Sequence, residues 1–185
     1  MRIVAGKYGG RRLKTLAGNQ TRPTSDKVKG ALFNILGERV VDAMALDLFA
    51  GCGALGIEAV SRGAQFAVLN DINPSAVRII EENTDMLGAE EETGIMCQDA
   101  FKTIDILARN NMSFDLIFID PPYESGLYSD IIFQIHNSGI LALNGMIVCE
   151  HRKGFVFEVP FDYRIYDRRT YGQTSLSFII EEVVS

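Results

Sequence analysis

A chain of 185 residues with 47% hydrophobic and 23% charged positions has the balance of one soluble globular unit, which excludes a disordered or fibrous protein. The net charge of −6 is unevenly spread: residues 1–30 hold eight basic side chains against the single acid Asp26, so they carry +7 and leave −13 for the rest. A basic arm on an acidic body suits a polyanion met at one place, although a solvated basic face would read the same way. No signal peptide is read, and no apolar run approaches the ~20 residues that cross a bilayer. Cys52, Cys97 and Cys149 are odd in number and stand in apolar or glycine-rich settings, which points to buried free thiols in a reducing cytoplasm.

Residues 2–5 and 11–16 flank Gly9-Gly10 and read as a small N-terminal β-hairpin carrying Arg11, Arg12 and Lys14. A helix over residues 26–36 follows, capped by Thr24 or Ser25, with Val28, Leu32, Ile35 and Leu36 along one face. From residue 44 onward two kinds of segment alternate. Strands are expected over 44–49, 66–71, 95–98, 114–119 and 146–150, with helices over 54–62, 74–87, 101–109 and 128–137. The helix over 74–87 has its punctuation spelled out, with Asn73 as cap, Pro74 at the first position and Gly88 past the end. Such alternation implies an α/β fold, a parallel sheet with helices on both faces. The tail is β-rich over 156–159, 163–167 and 174–182 with no helices between, so the sheet should end in an antiparallel hairpin. Without repeats or linkers, the chain reads as one domain, residues 1–24 being a basic arm and 25–185 the core.

The loop after the first strand contains Gly51, Gly53 and Gly56 in the spacing G-x-G-x-x-G, and Asp71 follows Gly51 by 20 residues. That is the dinucleotide fingerprint, with the acid on the adenosine ribose; a glycine turn serving only tight packing would look alike. Asp47 argues against a pyrophosphate, because a carboxylate beside the phosphate cradle repels an anion. It would attract the ammonium and sulfonium of S-adenosylmethionine, which brings an adenosine for Asp71 and no phosphate. Asp99, after the third strand, is placed to meet the adenine amine, though it reads easily as a helix cap as well. The cofactor line so drawn runs through Asp47, Phe49, Ala50, Gly51 and Gly53, then Asp71 and Ile72, then Asp99 and Ala100.

The fourth strand ends in Asp120-Pro121-Pro122-Tyr123. Each proline fixes φ and removes a donor, and Pro122 also biases Pro121 toward an extended conformation. The ledge therefore offers a carboxylate and a carbonyl, two acceptors for the hydrogens of a planar exocyclic amine, with Tyr123 as a face for a base. Taken alone it reads equally as a turn closing a buried strand. Glu150 and His151 follow the fifth strand at the same edge and read either as pocket lining or as a packed pair, and His136 reads as structural. No His, Cys or Asp spacing forms a metal site.

Residues 47–56, Asp71, Asp99 and 120–123 together resemble the motifs of the class I amino-methyltransferases. A longer set is more specific: residues 2–13, Arg22-Pro23-Thr24, residues 32–36, Ser61-Arg62-Gly63-Ala64 and Tyr171-Gly172-Gln173-Thr174. With these the chain resembles, over nearly its whole length, the bacterial 16S ribosomal RNA guanine-N2 methyltransferase family of the small subunit. The resemblance implies a Rossmann-like class I fold with a seven-stranded sheet, S-adenosylmethionine as donor and one guanine of 16S RNA as acceptor. It implies catalytic roles for Asp120, Pro121, Pro122 and Tyr123. The arm, through Lys7, Arg11, Arg12, Lys14 and Arg22, would hold RNA that already carries ribosomal proteins. Cys52 departs from the family's usual serine or threonine, and Asp71 from its glutamate. The other readings are an adenine-N6 methyltransferase, an RNA clamp without turnover, and an NAD-linked oxidoreductase resting on the glycines alone.

Overall fold

Apolar side chains that alternate along strands need cover on two sides, and this chain supplies helices to both. The computed structural model describes residues 1–16, 25–122 and 126–182. In chain order the elements are α1 (Asp26–Leu36), β1 (Met44–Asp47), α2 (Ala54–Ser61), β2 (Phe66–Asn70), α3 (Pro74–Leu87), β3 (Thr93–Met96), α4 (Ala100–Arg109), β4 (Phe114–Ile119), α5 (Tyr128–Ser138), β5 (Leu141–Arg152), β6 (Tyr163–Tyr171) and β7 (Thr174–Glu181). The strands form a seven-stranded sheet in the order β3-β2-β1-β4-β5-β7-β6. The first five are mutually parallel, and β7 runs antiparallel to both β5 and β6. The expected seven-stranded α/β fold with an antiparallel C-terminal hairpin is present.

Leu116, Phe118, Met146, Val148, Leu176 and Phe178 point to one side, where α1, α2 and α3 bring Leu32, Phe33, Ile57 and Ile80. Ile117, Ile119, Ile147, Cys149 and Ile179 point to the other, against Ile104 and Leu107 of α4 and Ile131 and Ile135 of α5. Strand order reverses between β1 and β4, so a crevice opens there outside the carboxyl ends of the strands, the usual ligand position in open α/β sheets. The caps follow the sequence: Asn73 accepts from the Ser75 amide at 2.9 Å, and Gly88 ends α3 at φ 68°. Ser25 caps α1; Thr24 lies outside the described residues.

Several boundaries differ from expectation. β1 and β2 stop at Asp47 and Asn70, β3 lies two residues earlier than expected, and α2 closes at Ser61. β5 starts at Leu141, well before residue 146, because the pairing with β4 shifts register between Phe114 and Leu116 and Asn144 takes a positive φ of 63°. An Asn-Gly pair that reads as a breaker is here an irregularity within a strand. Residues 156–159 form no strand: Phe157 tucks beneath Tyr128, rings stacked at 5.6 Å, and Val156 is 78% exposed. The amino-terminal hairpin reduces to one bridge, Arg2 to Arg12, flanked by the buried Ile3 and Leu13. The cysteines also differ from expectation. Cys149 is buried but Cys52 only partly so, and Cys97, in the loop after β3, is exposed. His136 pairs with Asp162 at 2.9 Å.

The arm is fastened to the body through one carboxylate. Glu58 of α2 is fully buried and accepts from the amides of Val4 at 2.7 Å and Ala5 at 3.1 Å. Lys29 of α1, also fully buried, approaches it at 3.1 Å, and Arg62 completes the pairing at 2.7 Å. Lys29 donates as well to the Arg2 carbonyl at 2.6 Å, and the Ser61 hydroxyl donates to the Ala5 carbonyl while accepting from the Tyr8 amide. Neutralising Glu58 would leave a buried ammonium uncompensated. Glu58→Gln is therefore expected to cost about 3–5 kcal/mol, read as a lowered urea midpoint, whereas Arg2→Ala, which breaks an exposed pair with Asp26, should cost at most ~1 kcal/mol.

Candidate active site

The loop between β1 and α2 is held in shape by backbone groups of its neighbours. The Ala50 amide donates to the Asn70 carbonyl at 2.8 Å. Gly51, at φ 58°, donates to the Asp71 carboxylate at 2.8 Å, and the second Asp71 oxygen accepts from the Asn73 amide at 2.9 Å. A Cβ on Gly51 would meet nothing within 4 Å, so the loop turns an open side outward. Gly56 serves the opposite need: a Cβ there would stand 1.9 Å from Leu69 Cδ2, and its absence lets α2 lie close on the sheet.

Asp47 sits under this loop, 1% exposed. One oxygen accepts from the Gly56 amide at 3.1 Å; the other, Oδ1, is buried without a hydrogen-bond partner among the described residues. Burial pushes its pKa from 3.8 up to about 7, against the pull of the Gly56 amide, and the neighbouring Asp71 charge adds to the rise. Ile72, next along, is 67% exposed. Asp99 caps α4 through Oδ1, accepting from Phe101 at 2.9 Å.

Asp120 follows β4 on a partly buried ledge, with Pro121 buried and Pro122 exposed. Tyr123 lies outside the described residues. Continuing the strand alternation from Leu116 and Phe118 sets Asp120 on the α1–α3 side of the sheet, as Val148 sets Glu150 and Ala45 sets Asp47. Asp120 feels the other two: burial first, then Glu150 and Asp47, raises its pKa well above the ordinary range. Glu150 is buried, and its carbonyl accepts from the Tyr128 hydroxyl at 2.7 Å. His151 turns to the other side, where Nε2 meets the Ser177 hydroxyl at 2.8 Å, and burial lowers its pKa. Of the pair at the end of β5, the glutamate faces the crevice and the histidine is packing.

The arm cations lie elsewhere. Lys7 pairs with Glu92, whose second oxygen accepts from the Tyr8 hydroxyl at 3.0 Å, and Lys14 pairs with Glu82 at 2.8 Å. Arg11 donates to the Met86 carbonyl at 3.3 Å, and Arg12 is exposed with no ion pair among the described residues. Arg22 lies outside the described residues. The arm nonetheless touches the cofactor loop through a residue that the sequence did not single out. Asn83 of α3 accepts from the Lys14 amide at 2.8 Å and donates to the carbonyls of Lys14 at 3.0 Å and Cys52 at 2.9 Å. Asn70 is a second such buried amide. It donates to the carbonyls of Leu48 and Gln98, both at 3.1 Å, and accepts from the Thr103 hydroxyl at 2.8 Å, tying together the ends of β1, β2 and β3.

A glycine loop at the switch point, an acid at the end of the second strand gripping it, and an acid-proline ledge on the fourth are the parts of a class I methyltransferase. The chain belongs to the family of bacterial small-subunit ribosomal RNA methyltransferases that its sequence resembles; the family model described as Conserved hypothetical protein 95 matches residues 1–180. It is 35% identical over 178 residues to the Bacillus subtilis protein YlbH, covering 96% of this chain and 97% of the relative. It is 31% identical over 190 residues to ribosomal RNA small subunit methyltransferase D of Escherichia coli K12, covering 94% and 93%. The solved structure of the Escherichia coli protein yhhF superposes with a TM-score of 0.87 at 31% identity, covering 98% of each chain.

The raised pKa of Asp47 has a thermodynamic consequence. An acid whose folded pKa lies above its ordinary 3.8 binds an extra proton in the folded state, so stability is lost as pH rises from there through about 7. Unliganded protein should unfold at lower urea at pH 8 than at pH 5. Asp47→Asn should show a smaller drop and be the more stable of the two at pH 8.

Proposed function

We propose that the protein transfers a methyl group from S-adenosylmethionine to the exocyclic N2 amine of a guanine in 16S ribosomal RNA of the small subunit. The observation that carries this reading is the convergence of Asp47, Asp120 and Glu150 on one face of the crevice, where burial raises the pKa of Asp47 and Asp120 and the charges of Glu150 and Asp47 raise that of Asp120 further. Such a site calls for positive charge, and a donor with an ammonium and a sulfonium brings two. Asp47 Oδ1, a buried acceptor without a partner among the described residues, suits the ammonium beside the open side of Gly51. The Asp71 oxygens each accept one amide and retain a lone pair for a ribose hydroxyl. Ile72 gives an apolar face to the adenine, and Asp99 and Ala100 border its amine. Phe49, Ala50 and Gly53 complete the cradle. The name of the Escherichia coli relative supports ribosomal RNA as the polymer.

When bound, the cofactor supplies an electrophilic methyl group. The chain's own task is to make a poor nucleophile reactive. The guanine N2 lone pair is delocalised into the ring until both its hydrogens are held from the side. The Asp120 carboxylate accepts one and the Pro121 carbonyl the other, while Pro122 stiffens the ledge and Tyr123 stacks on the base. Orientation of this kind is worth up to ~7–11 kcal/mol in aligned intramolecular reactions. The methylated amine carries positive charge and must release a proton. The ionised Asp120 carboxylate, which already accepts an N–H from that nitrogen, is placed to take it.

Labelled methyl transfer to small-subunit particles and to naked 16S RNA lacking the modification, followed by nucleoside mass analysis, tests the reading. N2-methylguanosine is the expected product, and N6-methyladenosine would overturn the choice of base. Asp120→Asn should lower the transfer rate by about a hundredfold or more while calorimetric affinity for S-adenosylmethionine stays within a few-fold. Cofactor affinity should also rise as pH passes upward through about 7, because Asp47 must be ionised to hold an ammonium.

A further inference from the structure

The basic amino-terminal stretch directs several of its charges to carboxylates of its own chain. Arg2, Lys7 and Lys14 face Asp26, Glu92 and Glu82, and Lys29 is buried against Glu58. Two of its contacts also lie at the wrong end of the sheet. Glu92 immediately precedes β3 and Met86 sits in the last turn of α3, so Lys7 and Arg11 are anchored toward the amino ends of the strands, away from Asp120.

The carboxyl ends of β5 and β6, with the amino end of β7 between them, are arranged differently. Pairing sets Glu150 opposite Leu176 and Leu176 opposite Arg169; one step further it sets Arg152 opposite Thr174 and Thr174 opposite Tyr171. Residues directly opposite one another share a face, and Leu176 belongs to the α1–α3 side. Arg152, Arg169 and Tyr171 therefore stand on the same face as Asp120. At the ordinary strand spacing Arg169 is three strands, roughly 14 Å, from the ledge. Arg152, Lys153 and Arg169 are exposed. Among the described residues Arg152 and Lys153 make no ion pair, and Arg169 pairs with Asp167 at 2.8 Å. Arg168 turns away, donating to the Ser177 hydroxyl at 2.9 Å on the far side.

A polyanion approaching Asp120 meets Asp47 and Glu150 as well, and needs cations beside them to come near. We propose that Arg152, Lys153, Arg169 and Tyr171 form the contact for the single-stranded RNA flanking the acceptor nucleotide. The three cations take phosphates, which fix register without reading sequence, and Tyr171 offers a stacking face. Charge complementarity and continuity with the Asp120 ledge select this occupant, and the identity of the polymer rests on the methyltransferase reading above.

The test is equilibrium binding of unmodified, naked 16S RNA across a salt series, with no turnover required. The double variant Arg152→Ala/Arg169→Ala should bind about tenfold more weakly at low salt, and its log–log salt slope should shrink by roughly 1.4, two phosphates at ~0.7 each. Arg152→Lys/Arg169→Lys should recover most of the slope, and S-adenosylmethionine affinity should be unchanged in both. Arg11→Ala/Arg12→Ala should change the slope less than the Arg152/Arg169 pair does. Unaltered affinity and slope in the alanine pair would overturn the proposal. So would lost methylation of small-subunit particles with unaltered binding of naked RNA, which would assign the patch to a ribosomal protein. The parent reading fails separately, if wild-type protein binds S-adenosylmethionine yet methylates neither RNA nor particles.

Discussion

Three carboxylates held close on one face of a sheet are an electrostatic problem before they are a site. Asp47, Asp120 and Glu150 come together because strand alternation and parallel register leave their side chains no other direction, and burial, nearly complete at Asp47 and Glu150 and partial at Asp120, takes them out of water. The rises in the pKa of Asp47 and Asp120 measure the cost. Everything around them answers that cost. The glycine loop leaves an open approach to Asp47, the proline ledge fixes Asp120 without adding donors, and the proposed donor and substrate bring the missing cations and N–H groups. A site that is unfavourable when empty is one that rewards occupancy, and the same repulsion explains why cations must stand just outside it.

The arm shows a second use of buried charge. Glu58 is a carboxylate with every lone pair directed to a purpose, receiving two amides from the arm and two cations from the helices. It makes the first residues a strap across α1 and α2, and Asn83 carries that strap on to the carbonyl of Cys52. One side chain thus joins the arm to the loop between β1 and α2.

How much of this was legible in the sequence depends on the kind of signal. Elements with punctuation were plain: Asn73, Pro74 and Gly88 bracket α3, and an apolar run ending in an acid marks β1, β2 and β4. From such ends the acids Asp47, Asp71 and Asp120 could be placed at one edge of the sheet. The start of β5 is hidden because Asn144-Gly145 is chemically a turn and only its neighbours hold it within a strand, and 156–159 reads as a strand from its apolar residues although only Phe157 packs on Tyr128 while Val156 is exposed. Glu58, Asn70 and Asn83 gave no signal. In one sequence a buried, satisfied polar residue is indistinguishable from a solvated one. The arm shows the same gap from the other side, since its charges are visible to counting but their partners, 24 to 85 residues away, are not.

β6 ends the sheet, and its outer side has no strand to pair with among the described residues. An open edge of that length is a template for another chain, and sheets that survive such exposure carry charge and a break in their flatness. Arg164, Asp167, Arg168 and Arg169 lie along this strand, and the register slips between Ile165 and Asp167. Charge along the strand and the slip in its register are both features that discourage a further strand from pairing there.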